Sequence, residues 1–125
     1  MAEMKKILHI EDDRNVLALV KIILEKPGYR FLSALDAMQG LMMVRQQQPD
    51  LVILDIMMPA GGGVSVYERI RMMNTTQHIP ILIYTAAPRS ELEGKIEFGT
   101  DCVYLQKPAA PADILKTVNA ILGAA

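Results

Sequence analysis

The stretch Leu51-Val52-Ile53-Leu54-Asp55-Ile56-Met57-Met58-Pro59 decides the fold class of this chain. Four consecutive aliphatic residues have the length of a buried strand, and an acid follows them directly. Two other apolar runs end in the same way. Residues 7–10 lead into Glu11-Asp12-Asp13, and residues 103–105 lead into Gln106-Lys107-Pro108. Between such runs lie segments with helical spacing of apolar residues. This alternation predicts an α/β fold with a parallel sheet.

The pattern predicts five strands and five helices in one domain that spans residues 1–125. The predicted strands lie near residues 6–10, 29–35, 51–55, 79–85 and 102–106. The second helix is expected to bury Met38, Leu41 and Met42, and the fourth to run from Arg89 to Phe98. Most of the nine methionines are expected to fill the core, because methionine packs into irregular gaps.

Composition excludes several classes of protein. An apolar fraction of 51% excludes a disordered chain, and a net charge of −1 leaves no basic excess for direct binding of nucleic acid or an anionic membrane. No apolar stretch approaches the roughly 20 residues that span a bilayer, and the first residues lack a signal peptide. The single cysteine, Cys102, cannot form an internal disulfide. A cytoplasmic protein is expected.

Polar and charged side chains follow the predicted strands at the edge where ligands bind in open parallel sheets. They are Glu11, Asp12 and Asp13 after strand one, Asp55 after strand three, Thr85 after strand four, and Lys107 after strand five. Crowded carboxylates repel one another unless a cation lies among them. Oxygen ligands favour Mg²⁺, and the absence of a Cys or His cluster argues against zinc.

These groups suit phosphoryl transfer to a carboxylate. A metal ion and Lys107 would neutralise the charge on the transferring group, and the Thr85 hydroxyl would donate to it. Asp55 is the best nucleophile by position, because it comes from the middle strand.

In order and spacing, these residues closely resemble the receiver domain of two-component response regulators over essentially the whole chain. The matching motifs are Glu11-Asp12-Asp13, Asp55-Ile56-Met57-Met58-Pro59, Gly63, Thr85-Ala86, Gly99 and Tyr104-Leu105-Gln106-Lys107-Pro108. The resemblance implies a CheY-like, flavodoxin-like fold. That fold is a doubly wound five-stranded parallel sheet of order 2-1-3-4-5, with helices on both faces.

The resemblance also implies a role for each acid. Asp55 would accept a phosphoryl group from a histidine kinase or a histidine phosphotransfer protein with Mg²⁺. Asp12 would bind the metal directly, Glu11 would act through water, and the backbone carbonyl of Met57 would complete the set. Asp13 is then expected to cap the first helix, although the pair Asp12 and Asp13 is left open as the alternative metal site.

The remaining implied roles concern the switch. Thr85 would turn toward the phosphoryl group and Tyr104 would change rotamer with it, while the Lys107-Pro108 peptide bond would be cis. Helix four, strand five and helix five would then present a face to a downstream protein. Gly61-Gly62-Gly63 departs from the family, which usually requires one glycine, at position 63.

Two other functions compete with this phosphorylation switch, which is not expected to be an enzyme. A Mg²⁺-dependent phosphatase or phosphotransferase using Asp55 would need a second carboxylate as general acid, and Met57 stands where it is expected. A flavodoxin-like cofactor binder would place phosphate beside Glu11-Asp12-Asp13, which would repel it. No output domain follows residue 125 in this sequence, so the chain either acts alone or is part of a longer regulator or hybrid kinase.

Overall fold

A computed structural model describes residues 4–59 and 62–123 of the chain. It contains ten elements in strict alternation: β1 Lys6–Ile10, α1 Arg14–Glu25, β2 Arg30–Ala34, α2 Ala37–Gln47, β3 Leu51–Leu54, α3 Gly62–Met72, β4 Ile81–Thr85, α4 Arg89–Leu92, β5 Cys102–Gln106 and α5 Pro111–Leu122. Every neighbouring pair of strands is parallel, and the strand order is β2-β1-β3-β4-β5. The predicted fold class and strand order are confirmed.

Strand β3 lies in the middle of the sheet and is buried along its whole length. Its side chains alternate between two cores. Leu51 and Ile53 pack with residues of α1 and α5, and Val52 and Leu54 pack with residues of α2 and α3. A strand covered on both faces must be apolar throughout, which explains the uninterrupted aliphatic run.

Local signals in the sequence explain where three of the helices begin. The Asp13 carboxylate accepts the backbone N–H of Asn15 at 2.8 Å, so Asp13 caps α1 as predicted. Asp36 caps α2 by accepting the N–H of Gln39 at 2.7 Å. Helix α5 starts at the predicted Pro111, where a missing N–H costs nothing.

The prediction of a long fourth helix is wrong. Helix α4 covers only Arg89–Leu92, and the remainder of the predicted segment forms turns. Glu93 is extended and Gly94 has a φ of +83°, which is the backbone of a type II turn that the Lys95 N–H closes by donating to the Leu92 carbonyl at 3.0 Å. Gly99 then pairs with Cys102, since its N–H donates to the Cys102 carbonyl at 2.9 Å. Smaller differences include β4, which begins at Ile81 rather than residue 79.

The expected apolar face of α2 is wrong for Met38 and Met42, although Leu41 does pack against the core, and the expected burial of most methionines is also wrong. Met38 is 80% exposed and Met42 50% exposed, whereas Gly40 and Val44 are the buried residues of α2. Gly40 packs closely against Ile10, and this contact turns the methionines outward. Among the described methionines only Met58 is buried, and five are exposed: Met4, Met38, Met42, Met57 and Met72. Within the described ranges, no helix combines the length and apolar character needed to cross a membrane.

Candidate functional site

The carboxyl ends of four neighbouring strands meet at one edge of the sheet. Backbone hydrogen bonds continue the sheet one residue past the strand ends. The Asp55 N–H donates to the Ile10 carbonyl at 3.2 Å, and the Lys107 N–H donates to the Thr85 carbonyl at 2.8 Å. The structure therefore assembles at this edge the predicted side chains Glu11, Asp12, Asp55, Thr85 and Lys107.

The Lys107 ammonium group joins two buried carboxylates. Its Nζ donates to Oδ2 of Asp55 at 2.9 Å and also to Oε1 of Glu11. The second Asp55 oxygen, Oδ1, accepts the backbone N–H of Met57 at 3.0 Å. Glu11 is 1% exposed and Asp55 5% exposed, so water screens these contacts weakly. The arrangement fixes the orientation of the Asp55 carboxylate.

The same contacts give the two carboxyl groups different pKa values. Burial raises the pKa of Glu11 to about 7, although the hydrogen bond from Lys107 opposes the change. Burial also disfavours ionisation of Asp55, but the Met57 N–H and Lys107 outweigh it and lower its pKa. Burial likewise opposes the charge on Lys107, whereas its hydrogen bonds to both acids raise its pKa. Asp55 is therefore held as a carboxylate, the form that acts as a nucleophile.

Three acids offer a site that fits a hard divalent cation. Glu11, Asp12 and Asp55 each place one carboxylate oxygen within 4.8 Å of the others. Asp12 is exposed to solvent and faces the cluster from outside, whereas the other two are buried. A set of carboxylate oxygens with an open, solvated side is the environment in which Mg²⁺ binds and keeps part of its water shell. Asp13 is engaged as the α1 cap, and the metal role of the Met57 carbonyl stays a prediction.

A chain of contacts leads from Thr85 to Tyr104. The buried Thr85 Oγ1 accepts the N–H of Ala87 at 3.4 Å, and the Ala87 carbonyl accepts the Tyr104 hydroxyl at 2.6 Å. The Tyr104 ring meets Phe98 edge-on, with centroids 5.9 Å apart. Residue Ala87 thus links the end of β4 to β5, while rearrangement of Thr85 and Tyr104 stays a prediction. The Lys107-Pro108 bond is cis, as predicted.

Two further residues, His9 and Gly63, lie close to the site. His9 lies in β1, fully buried, and neither ring nitrogen has a hydrogen-bond partner among the described residues. Burial and the charge of Lys107 lower its pKa to about 3, so the ring is neutral. Its signal in the sequence is a polar residue two positions before Glu11 on the same face of a buried strand. Gly63 is required because a Cβ there would lie 2.3 Å from the Ile56 Cα.

Comparison with known proteins agrees with this geometry. The family model of the response regulator receiver domain matches residues 7–119, and the chain belongs to that family. It is 38% identical over 122 residues to the DNA-binding dual master transcriptional regulator RpaA of Synechocystis, covering 95% of this chain and 49% of that protein. It is 32% identical to Protein PilH of Pseudomonas aeruginosa, covering 95% of this chain and 98% of PilH. The chain spans about half the length of RpaA and of other curated relatives that it matches.

Solved structures show the same fold. The chemotaxis response regulator CheY4 of Vibrio cholerae superposes with a TM-score of 0.85 at 30% identity, covering 96% of this chain and all of CheY4. The receiver domain of sensor histidine kinase PA1611 from Pseudomonas aeruginosa, solved with a magnesium ion coordinated in its active-site cleft, gives 0.84 at 25% identity, covering 98% of this chain and 100% of that one. The chain is a receiver domain of two-component signalling, a family of phosphorylation switches.

Proposed function

We propose that Asp55 is the phosphoryl acceptor of this receiver domain and that a histidine kinase or histidine phosphotransfer protein is the donor. The observation that supports the proposal best is the environment of Asp55. It is a buried carboxylate with a lowered pKa, held by Lys107 and the Met57 N–H at the edge where the strands end.

The transfer uses the groups of this chain in distinct roles. One Asp55 oxygen attacks the phosphorus in line, a new O–P bond forms, and the bond from phosphorus to the histidine nitrogen of the donor breaks. Lys107 stabilises the charge on the transferring oxygens, and the Thr85 hydroxyl donates to one of them. Asp12, Asp55 and Glu11 would hold Mg²⁺, Glu11 through water, and the Met57 carbonyl would complete the set. The ion would neutralise a further part of that charge.

The signal then travels through the contacts between Thr85 and Tyr104. When Thr85 turns toward the phosphoryl group, the hydrogen bond to the Ala87 N–H is lost and the loop that holds the Tyr104 hydroxyl shifts. The phosphoryl group thereby shifts the population toward a form in which α4, β5 and α5 bind a downstream protein. The chain acts in the cytoplasm as a switch, without direct contact to nucleic acid or membrane.

A Mg²⁺-dependent phosphatase or phosphotransferase is the weaker alternative. Such an enzyme needs a carboxylic acid near the nucleophile to protonate the leaving group. Met57 stands two residues after Asp55, where this acid is expected, and its side chain is 62% exposed. A thioether has no acidic proton, so Met57 does not serve as the general acid.

Intact-mass spectrometry tests the acceptor directly. Incubation with acetyl phosphate and Mg²⁺ is expected to add one phosphoryl group to the wild-type chain and to the control variant Asp101→Asn, an exposed acid outside the site. Asp55→Asn is expected to stay unlabelled. Labelling of Asp55→Asn at the wild-type rate would refute the assignment.

A further inference from the structure

Helices α2 and α3 enclose an apolar groove that the proposed phosphorylation switch does not use. Its volume is about 680 Å³. Its apolar walls come from Met38, Leu41, Met42, Met72 and Met73, and we call it the methionine groove. It lies on the face of the sheet that α2 and α3 cover, opposite the face that α1 and α5 cover.

The methionine groove is exposed to a degree that packing does not explain. Met38 and Met72 are each 80% exposed, and Met42 is 50% exposed. Placing several large apolar side chains together in water forgoes the stabilisation that burial would give. Methionine is unbranched and polarizable, so a methionine-lined surface adapts its shape to a partner side chain. These properties indicate a binding surface.

The charges beside the groove specify the partner. Arg45 of α2 and Arg69 of α3 line the groove, are exposed, and form no ion pair or cation–π contact with the described part of the chain. Arg71 and Arg89, by contrast, lie over the rings of Tyr67 and Phe98. No acidic residue among those described lines the groove. The groove therefore presents unpaired positive charge beside an apolar floor.

We propose that the methionine groove binds an amphipathic helix of another protein, with aliphatic side chains on its apolar face and glutamate or aspartate beside them. A groove between two helices accepts the apolar face of a third, with anchors spaced three or four residues apart. The acids of the partner would pair with Arg45 and Arg69 at the rim. A second copy of this chain fits less well. A two-fold dimer through the groove would bring Arg45 and Arg69 of both copies into one interface, where like charges repel.

A defined peptide tests the proposal without phosphorylation, so its outcome is independent of the assignment of Asp55. The probe is a synthetic helical peptide of about five turns, with leucines on one face and glutamates flanking them. A matched peptide carries lysine in place of each glutamate. Fluorescence anisotropy with the full chain is expected to give saturable micromolar binding of the acidic peptide and at least tenfold weaker binding of the basic one.

Substitutions map the contact. The double change Met38→Gln and Met72→Gln is expected to weaken binding of the acidic peptide at least tenfold, and Arg45→Glu with Arg69→Glu to reverse the preference between the two peptides. Ile22→Gln on α1, which is 67% exposed, is the control and is expected to leave binding unchanged. Because all these side chains are exposed, the variants should fold, and circular dichroism checks this.

Three results would overturn the proposal. They are the absence of saturable binding, equal affinity for the acidic and basic peptides, and an equal loss of binding in the Ile22 control. Sedimentation of the wild-type chain as a dimer that Met38→Gln and Met72→Gln dissociate would instead assign the groove to a second copy.

Discussion

Replacement of Gly63 by alanine tests whether the loop after Asp55 is held by backbone contact. A Cβ at position 63 would lie 2.3 Å from the Ile56 Cα, 2.5 Å from the Ile56 carbonyl oxygen and 2.6 Å from the Asp55 carbonyl oxygen. All three are backbone atoms, so no side-chain rotation relieves the overlap. The loop must move by about 1 Å to restore ordinary contact distances.

The size of the effect follows from two opposed contributions. Overpacking against an unyielding neighbour costs about 3 kcal/mol, the upper part of the usual range. Alanine in a helix gains about 1 kcal/mol over glycine. We therefore expect Gly63→Ala to lower the free energy of unfolding by about 2 kcal/mol. The displaced backbone also pulls the Met57 N–H away from Asp55, so phosphoryl labelling should slow at least tenfold.

Gly62→Ala is the matched control, one residue earlier in the same helix. Its added methyl would meet side-chain atoms, the Ala37 Cβ at 3.0 Å and the flexible Met58 Cε at 3.6 Å. Its stability should stay within about 1 kcal/mol of wild type. Urea unfolding followed by circular dichroism, with labelling rates from intact mass, compares the two. Equal stability and equal labelling of both variants would show that backbone contact at Gly63 does not hold the loop.

Three further predictions concern buried charged and polar groups. Lys107→Ala leaves Glu11 and Asp55 without their cation, so it should lower the free energy of unfolding by about 2 kcal/mol in urea titrations. Mg²⁺ should restore more stability to this variant than to wild type. The variant should accept the phosphoryl group poorly and fail to transmit the signal. The pKa of His9 is about 3 when folded and 6.5 when unfolded, so its burial costs stability progressively as pH falls below 6.5. As the pH falls from 6 to 4, the stability of His9→Leu relative to wild type should therefore rise by at most about 1.4 kcal/mol for each pH unit, and a flat difference would contradict this. Burial raises the pKa of the Cys102 thiol to about 11, so alkylation at pH 8 should be about a hundredfold slower in the native chain than in urea.

The sequence predicted the central strand and the site because both leave a local signal. An uninterrupted aliphatic run is what a strand covered on both faces requires, and β3 is such a strand. The acids and the lysine stand directly after apolar runs, so the parallel topology alone brings them together. The contacts of the Lys107 ammonium with both Glu11 and Asp55 depend on side-chain direction, which no sequence pattern encodes.

The errors arose where tertiary contact overrides periodicity. Met38 and Met42 have helical spacing and are hydrophobic, but the side of α2 that faces the sheet is marked by Gly40, whose small size admits Ile10. No hydropathy pattern identifies a glycine as the packing residue of a helix. The segment after α4 contains good helix formers, yet Glu93 is extended and Gly94 takes the positive-φ position of a type II turn, and this turn replaces the helix.

The position of the phosphoryl group on the labelled chain tests directly whether Asp55 is the acceptor. Borohydride reduces an aspartyl phosphate to homoserine, so peptide mass spectrometry after labelling and reduction identifies the acceptor. If Asp55 is the acceptor, homoserine will appear at residue 55 and nowhere else, with a yield that depends on Mg²⁺. Homoserine at Asp12, or labelled protein in which residue 55 is still aspartate, would contradict the assignment of Asp55 as the acceptor.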